Sequence, residues 1–174
     1  MLEKTLDDVN SKKFQVEVFG LGYVGFPLAV RLANGGFDVL GIDVNPERLL
    51  RLENSDLNET ELNIKKEFLH VRKEKLLTFS DNPSKSQNSK IAFICVHTPI
   101  ATEDVDSDMY VRNAIEQFLQ SSKKGDVIVI ESSIGGGTTE KMEKIIQDFG
   151  YDEEKILVYV FVQKELIHKT RNGI

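Results

Sequence analysis

Three glycines and one aspartate form the pattern in this chain that is best suited to hold a ligand. Gly20, Gly22 and Gly25 have the spacing G-x-G-x-x-G, and Asp43 ends the next apolar run. In this pattern the first glycine permits a tight turn, the second lets the backbone approach a pyrophosphate, and the third lets a helix pack closely on a sheet. A carboxylate at position 43 can accept hydrogen bonds from the ribose hydroxyls of adenosine, but it would repel a 2′-phosphate. The pattern therefore predicts a dinucleotide site that prefers NAD to NADP.

The residues around this pattern supply the elements that it needs. Residues 16–19 are an apolar run typical of a buried strand, a helical pattern follows the glycines, and residues 37–42 are a second apolar run. Gly35 and Gly36 mark the end of the helix, because glycine is common just past a helix C-terminus. This order favours the dinucleotide-binding βαβ unit, whose helix presents free N–H groups to an anion. The alternative is an ordinary glycine turn before a helix, with Asp43 as a solvated cap.

A second helix start follows Asp43 and brings an arginine to the same region. Asn45 is a favourable N-cap, and Pro46 suits the first helical position. Arg48 then lies on the adenosine side of the predicted site, where a guanidinium can stack on adenine or reach a phosphate. A solvated arginine is the alternative.

The stretch after this helix is heavily charged. Residues 54–75 are rich in Glu and Lys. They predict a helix with a solvated charged face, which is not a binding patch. Its apolar face would consist of Leu62, Phe68, Leu69 and Val71.

Another predicted strand end carries polar side chains. Residues 90–96 are too continuously apolar for an edge strand, and His97, Thr98 and Pro99 follow them. Because ligands lie at the carboxyl ends of parallel strands, Thr98 is a candidate contact for the nicotinamide ribose or a phosphate. His97 is interpreted as a turn histidine, since nothing nearby suggests a base partner. Cys95, within the strand, is interpreted as inert packing.

A loop of small residues follows the next predicted strand. Residues 127–131 form that strand, and the Ser-, Gly- and Thr-rich residues 132–139 lead into a helix over residues 140–149. Ser133 would face the nicotinamide end of the cofactor as a hydrogen-bonding group. The alternative is a flexible loop in which Thr138 or Thr139 caps the helix.

The order of elements along the whole chain predicts the fold class. A helix over residues 109–122 and a last strand over residues 156–162 continue the alternation of strands and helices. This alternation favours an α/β fold with a doubly wound, mostly parallel sheet of the Rossmann type, in a single domain. We assign residues 1–13 to an N-terminal arm, 14–162 to the NAD-binding domain and 163–174 to a C-terminal tail.

Composition excludes several classes of function. The net charge of −6 disfavours binding to nucleic acid or to acidic membranes. The sequence has no apolar run long enough to span a membrane and no signal-peptide core at its N-terminus. One cysteine, Cys95, excludes an internal disulfide framework and suits the reducing cytoplasm. No metal is expected, because an acidic loop lacks the glycine and the distal glutamate of a calcium loop. That loop contains Glu103, Asp104, Asp106 and Asp108.

Four stretches together resemble the N-terminal NAD-binding domain of the UDP-glucose/GDP-mannose dehydrogenase family. They are residues 20–29, with the Gly-Tyr-Val-Gly form of the loop, and residues 41–48, 96–99 and 131–139. They look most like the UDP-N-acetylmannosamine and UDP-N-acetylglucosamine 6-dehydrogenases. The resemblance implies oxidation of the C6 alcohol of a UDP-sugar to the carboxylate with two NAD.

The resemblance also implies roles for individual residues. The pyrophosphate would be held by Gly20, Gly22, Tyr23, Val24 and Gly25. Asp43 and Arg48 would hold the adenosine end. Thr98 and Ser133 would line the nicotinamide side, and the Ser133 hydroxyl would serve catalysis by orienting a water or the reacting oxygen.

Departures from the family pattern limit these expectations. Gly135 and Gly136 stand where the family usually has prolines, which makes the loop less rigid. The family's Pro-Glu segment has no clear counterpart, so Glu165 receives no role. The family's nucleophilic cysteine, dimer-forming helix and UDP-binding domain would lie beyond residue 174. We therefore expect NAD binding without turnover, with the UDP-sugar substrate and homodimer formation belonging to the full-length enzyme. The alternatives are a stand-alone regulatory NAD-binding module and a short relative of the β-hydroxyacid dehydrogenases.

Overall fold

The computed structural model describes residues 10–83, 88–99, 108–123, 125–132, 138–150 and 156–160. Within these ranges the strands are β1 (Gln15–Phe19), β2 (Asp38–Ile42), β3 (Leu77–Ser80), β4 (Ser89–Ile94), β5 (Asp126–Ile130) and β6 (Ile156–Val160). The α-helices are α1 (Gly25–Asn34), α2 (Pro46–Glu53), α3 (Lys65–Lys73), α4 (Met109–Leu119) and α5 (Thr138–Asp148), and a 3₁₀ helix spans Glu59–Ile64.

The strands form one parallel sheet in the spatial order β3-β2-β1-β4-β5-β6. From β1, the chain places β2 and then β3 on one side of that strand. It then crosses over and places β4, β5 and β6 on the other side of β1. This order confirms the doubly wound, Rossmann-like sheet. β4 is an interior strand, as its continuous apolar sequence predicts.

Two apolar cores cover the two faces of the sheet. One core joins helices α1 and α3 to the sheet and includes Val16, Val18 and Phe68. The other joins α4 and α5 to the opposite face and includes Phe19 and Ile115. Because both faces are buried, side chains that alternate along β1 are all excluded from water, and the strand carries no polar face toward solvent.

Local sequence signals place the helices that border the site. The Asn45 side chain caps α2 and accepts hydrogen bonds from the N–H groups of Glu47 and Arg48, at 3.0 and 3.3 Å. Pro46 is the first residue of this helix, as predicted. Helix α1 ends before the glycine pair, where Gly36 has a φ of 90°.

The charged stretch after α2 differs from its prediction. It is not one helix, because the 3₁₀ helix occupies its first part and α3 its second. Phe68 and Val71 are buried as predicted, but Leu62 and Leu69 are 52% and 44% exposed. Leu62 lies in the 3₁₀ helix, which has about three residues per turn, so the α-helical period does not apply to it. Leu69 directly follows the buried Phe68 in α3 and therefore lies about 100° around the helix from it.

Several predictions fall outside the described ranges. They concern residues 1–9, Glu103 to Asp106, Ser133, Gly135 to Gly137 and Glu165. The domain boundaries proposed from the sequence also stay predictions. In the part of the chain that the structure describes, no helix is long and apolar enough to cross a membrane.

Candidate dinucleotide-binding site

The carboxyl ends of β1, β2 and β4 meet at one edge of the sheet. The N–H of Gly20 donates to the Ile42 carbonyl at 2.7 Å, and the N–H of Cys95 donates to the Phe19 carbonyl at 2.8 Å. β1 lies between β2 and β4, so this is where the winding of the sheet changes direction. Open α/β sheets bind their ligands in the crevice at such a switch point.

Two glycines of the glycine loop, residues 20–25, are required by close packing. Gly20 has a φ of 86°, and a Cβ there would lie 2.6 Å from the Cys95 carbonyl oxygen. A Cβ at Gly25 would lie only 1.9 Å from the Gly20 carbonyl oxygen. Real Cβ atoms do not approach other atoms so closely. A side chain at position 20 would push the loop away from Cys95, and one at position 25 would push the start of α1 away from Gly20.

The middle of the glycine loop is open. Gly22 is exposed, and a Cβ added to it would meet no atom within 4 Å. Tyr23 is 82% exposed and Val24 is 46% exposed. Helix α1 begins directly after them without a side-chain cap, and the described residues supply no acceptor for the N–H groups of Tyr23 and Val24. Uncapped amides at a helix N-terminus favour an anion, so the loop fits a pyrophosphate.

Asp43 lies beside this loop. Its Oδ2 accepts the N–H of Leu21 at 2.7 Å, and its Oδ1 accepts the N–H of Asn45 at 2.9 Å. The side chain therefore caps the local turn and also contacts the glycine loop across 22 positions of sequence. Each carboxylate oxygen can accept a further hydrogen bond, and the residue stays partly exposed. The carboxylate thus fits a ribose hydroxyl without leaving its place.

Arg48 is directed into the protein. Its Nε donates to the Leu21 carbonyl at 2.9 Å, and its terminal nitrogen pairs with the Glu61 carboxylate. The guanidinium carbon stands 5.0 Å from the centre of the Phe26 ring. Only 13% of the Arg48 side chain is exposed, so the solvated-arginine alternative is wrong. Contact with adenine or a phosphate remains a prediction.

The loop after β4 is tied to the end of β5. The Ser132 hydroxyl donates toward the carbonyl oxygens of Ile94 and Val96, at 3.2 and 2.8 Å. Val96 directly precedes His97, which is exposed, and Thr98, which is partly buried. Ser132 therefore positions the backbone that carries Thr98, and the next residue in the chain is Ser133.

Cys95 lies beneath the glycine loop. A Cβ on Gly25 would come within 2.9 Å of the Cys95 Cβ, so thiol and loop are packed together. Burial raises the pKa of the Cys95 thiol to about 12, and the nearby Glu131 carboxylate adds to the rise. The thiolate is the nucleophilic form, so this cysteine is chemically inert near neutral pH.

Three residues of the site had no assigned role in the sequence. Ser132 was visible only as part of a polar loop. Val44 directly follows Asp43 and is 81% exposed, an apolar side chain at the strand end. Glu61 lies in the stretch predicted as solvated, yet it is 7% exposed and paired with Arg48. The pattern Asn58-x-x-Glu61 is a capping-box signature and was the available signal for Glu61.

A doubly wound parallel sheet with a glycine loop and a carboxylate at its switch point defines a dinucleotide-binding domain. The chain belongs to the UDP-glucose/GDP-mannose dehydrogenase family, whose NAD-binding domain matches residues 14–170.

Individual relatives agree with this membership. The chain is 29% identical over 167 residues to the UDP-N-acetyl-D-mannosamine dehydrogenase of Pyrococcus horikoshii, and the match covers 90% of this chain and 40% of that protein. It is 40% identical over 130 residues to the enzyme of the same name from Methanococcus maripaludis, covering 72% of this chain and 30% of the relative. The structure is similar to that of the UDP-N-acetyl-mannosamine dehydrogenase of S. aureus, with a TM-score of 0.76 and 28% identity over 84% of this chain and 35% of the other.

The chain therefore spans two fifths or less of the length of these relatives. What it shares with them is their NAD-binding region.

Proposed function

We propose that the glycine loop holds the diphosphate of NAD and that Asp43 holds the adenosine ribose. Gly20, Gly22, Tyr23, Val24 and Gly25 would supply the backbone that faces the diphosphate. The proposal is supported by the openness of the loop at Gly22, by the uncapped start of α1, and above all by the position of Asp43. The hydrogen bond from the Leu21 N–H to the Asp43 carboxylate is the observation that carries it.

The same carboxylate supports selectivity for NAD over NADP. A 2′-phosphate on the adenosine ribose would bring a second anion next to the Asp43 carboxylate, and the two negative charges would repel each other. Val44, which is exposed beside Asp43, is suited to an apolar contact with the adenine ring. Arg48 would act at the same end of the nucleotide.

The nicotinamide side would involve Thr98 and Ser133. Thr98 lies on the backbone that Ser132 fixes, and Ser133 follows Ser132 in the chain. NAD, when bound, supplies the hydride-accepting ring. These two residues would hydrogen-bond and orient groups near that ring. The catalytic role of the Ser133 hydroxyl belongs to this part of the proposal.

The sugar chemistry is proposed for the full-length enzyme and not for this chain by itself. The relatives are named for oxidation of UDP-N-acetyl-D-mannosamine, and this chain covers at most 40% of the curated ones. We propose that the enzyme oxidises the C6 alcohol of a UDP-sugar to the carboxylate with two NAD, as a cytoplasmic homodimer. These 174 residues would bind NAD without turnover, since a covalent aldehyde intermediate needs a reactive thiol and Cys95 is inert.

Isothermal titration with NAD and NADP tests the cofactor site. We expect NAD to bind at least about tenfold more tightly than NADP, which corresponds to about 1.4 kcal/mol, because the Asp43 carboxylate would repel the 2′-phosphate. Asp43→Asn should weaken the binding of NAD, because the amide accepts hydrogen bonds only at its oxygen. It should also reduce the difference in affinity between NAD and NADP, because the amide carries no charge. Asp56→Asn is the matched control, because Asp56 is an exposed acid bonded to Arg51. Equal affinities of the wild type and Asp43→Asn for NAD would refute the assigned role.

Turnover is tested by adding a UDP-sugar with NAD and following NADH absorbance. We expect no NADH from the chain alone. Steady NADH production by the purified chain would overturn the proposal that it lacks turnover.

A further inference from the structure

We propose that Glu61 is a positioning residue for the dinucleotide site, acting through Arg48 on the backbone of the glycine loop. The inference rests on the proposed function, because its consequence for binding presumes that the loop holds NAD. Among the described residues, the Glu61 carboxylate bonds to Arg48 and Asn58 and makes no hydrogen bond to the loop. Its effect is transmitted by one guanidinium and one carbonyl group.

Leu21 is the residue at which the loop is fixed. Its N–H donates to Asp43 at 2.7 Å, and its carbonyl accepts from the Nε of Arg48 at 2.9 Å. Its side chain is fully buried against Gly41, where an added Cβ would come within 2.9 Å of Leu21 Cδ2. Both backbone groups and the side chain of one loop residue are therefore held by three different contacts.

Arg48 can hold that carbonyl only while its own orientation is fixed. The guanidinium carbon lies over the Phe26 ring, 5.0 Å from its centre, and Glu61 pairs with a terminal nitrogen of Arg48. The two side chains are 13% and 8% exposed. A charge that is so far buried needs its partner, because water cannot replace the lost hydrogen bonds without rearrangement.

Glu61 is held from the other side by the 3₁₀ helix. Its Oε2 accepts the N–H of Asn58 at 3.0 Å, while its Oε1 faces Arg48. Both oxygens are thus engaged, one by the start of the 3₁₀ helix and one by the arginine. The 3₁₀ helix is thereby linked to the glycine loop through Glu61 and Arg48.

Removal of Glu61 should loosen the loop without removing any group that contacts NAD. The Arg48 guanidinium would turn toward water to find new acceptors, and the Leu21 carbonyl would lose its donor. If the loop then holds its binding shape about a tenth of the time, the apparent Kd for NAD rises about tenfold.

A second arginine pair provides a matched control. Arg72 pairs with Glu53, donates to the Leu77 carbonyl at 3.0 Å, and stands 5.0 Å from the Phe79 ring. The partners are of the same kinds as in the first pair, but this pair is more exposed, at 24% and 46%, and its carbonyl belongs to β3. Glu53→Ala should therefore leave NAD binding unchanged.

The experiment compares Glu61→Ala, Glu61→Gln and Glu53→Ala in the 174-residue protein. Isothermal titration should show NAD affinity reduced about tenfold in Glu61→Ala, less in Glu61→Gln, and not at all in Glu53→Ala. Glu61→Gln keeps the shape and one acceptor oxygen, so it remains a usable variant if Glu61→Ala folds poorly. Thermal melts by circular dichroism separate loss of folding from loss of affinity.

Amide hydrogen exchange gives a readout that needs no nucleotide. Exchange at residues 21–25 should be faster in Glu61→Ala than in Glu53→Ala, because the loop opens locally when the Leu21 carbonyl is released. If Glu61→Ala and Glu61→Gln match Glu53→Ala in both affinity and exchange, the positioning role is overturned. If the wild type binds no NAD, the proposed function fails, and the exchange comparison still decides whether Glu61 fixes the loop.

Discussion

The molecule contains two arginine clusters with the same parts and different consequences. In one, Arg48 holds the Leu21 carbonyl, lies over Phe26 and pairs with Glu61. In the other, Arg72 contacts the Leu77 carbonyl, the Phe79 ring and Glu53.

The difference lies in the carbonyl that each arginine holds and in the burial of the pair. Leu21 belongs to the glycine loop, whereas Leu77 begins the edge strand β3. Arg48 and Glu61 are 13% and 8% exposed, and Arg72 and Glu53 are 24% and 46% exposed. One arrangement of groups thus holds the glycine loop in one place and the edge strand of the sheet in another. A buried Arg–Glu pair is informative about function only once its backbone partner is known.

The largest effect on the free energy of unfolding is expected from adding a methyl group at Gly25, at the end of the glycine loop that Arg48 contacts. Gly25→Ala should lower the free energy of unfolding by about 3 kcal/mol, because the new methyl overlaps the Gly20 carbonyl. Gly22→Ala has open space around the new methyl group, so its free energy of unfolding should stay within about 0.5 kcal/mol of the wild type. The same change should weaken the binding of NAD. Urea unfolding and titration calorimetry measure both. Equal destabilisation by the two changes would contradict the packing that we describe.

Truncation of the two arginines separates the clusters directly. Arg48→Ala should lower the free energy of unfolding by about 3 kcal/mol, because the Glu61 carboxylate would be left buried without the guanidinium that pairs with it. It should also weaken the binding of NAD. Arg72→Ala should cost about 1 kcal/mol and leave NAD affinity unchanged, since Glu53 is already half exposed. Loss of NAD binding in Arg72→Ala would remove the distinction between the clusters.

A buried carboxylate without an arginine sharpens the contrast with Glu61. Asp126 is 4% exposed, and its Oδ2 accepts the Lys123 N–H at 2.6 Å. Burial raises the pKa of Asp126 to about 6, against the lowering effects of that hydrogen bond and of Lys90 and Lys123. Because the pKa of Asp126 is higher in the folded protein, its contribution to the free energy of unfolding is fully present below the unfolded pKa near 4. That contribution is lost as pH rises through the folded pKa of about 6.

Asp126→Asn removes this titration and keeps an acceptor oxygen. We expect the stability difference between Asp126→Asn and the wild type to shift by about 2 kcal/mol in favour of the variant between pH 4 and pH 7. Urea midpoints at a series of pH values measure it. A difference that does not change with pH would show that Asp126 titrates normally.

The smallest effect is expected at the exposed end of the Arg72 cluster. Glu53→Gln should change the free energy of unfolding by less than about 0.5 kcal/mol, since ion pairs open to water contribute little. High salt should reduce this difference in the free energy of unfolding further, because it screens the ion pair. A loss as large as that of Glu61→Gln would mean that exposure does not separate the two pairs.

The fold and the centre of the site were predictable because their signals are local. The glycine spacing, the Asn45-Pro46 helix start and the apolar runs each depend on neighbouring residues, and the structure has the predicted sheet. The alternation of elements was sufficient to give the doubly wound topology.

The support of the site was not predictable in the same way. Glu61 looked solvated because its neighbours are charged, and its burial depends on Arg48, 13 positions away in sequence. Leu62 is exposed because it lies in a 3₁₀ helix, where the α-helical period behind its prediction does not apply. Ser132 joins two strand ends 36 positions apart. The burial of Glu61 and the position of Ser132 each depend on a tertiary contact that local patterns do not encode.

The fixation of Leu21 has a consequence for the speed of cofactor capture. A loop whose amide and carbonyl are both occupied by side chains has its shape before any nucleotide arrives. Ordering of the chain then does not delay association. In a stopped-flow mixing experiment, the observed rate should rise in proportion to NAD concentration and should not level off at a slow isomerisation step.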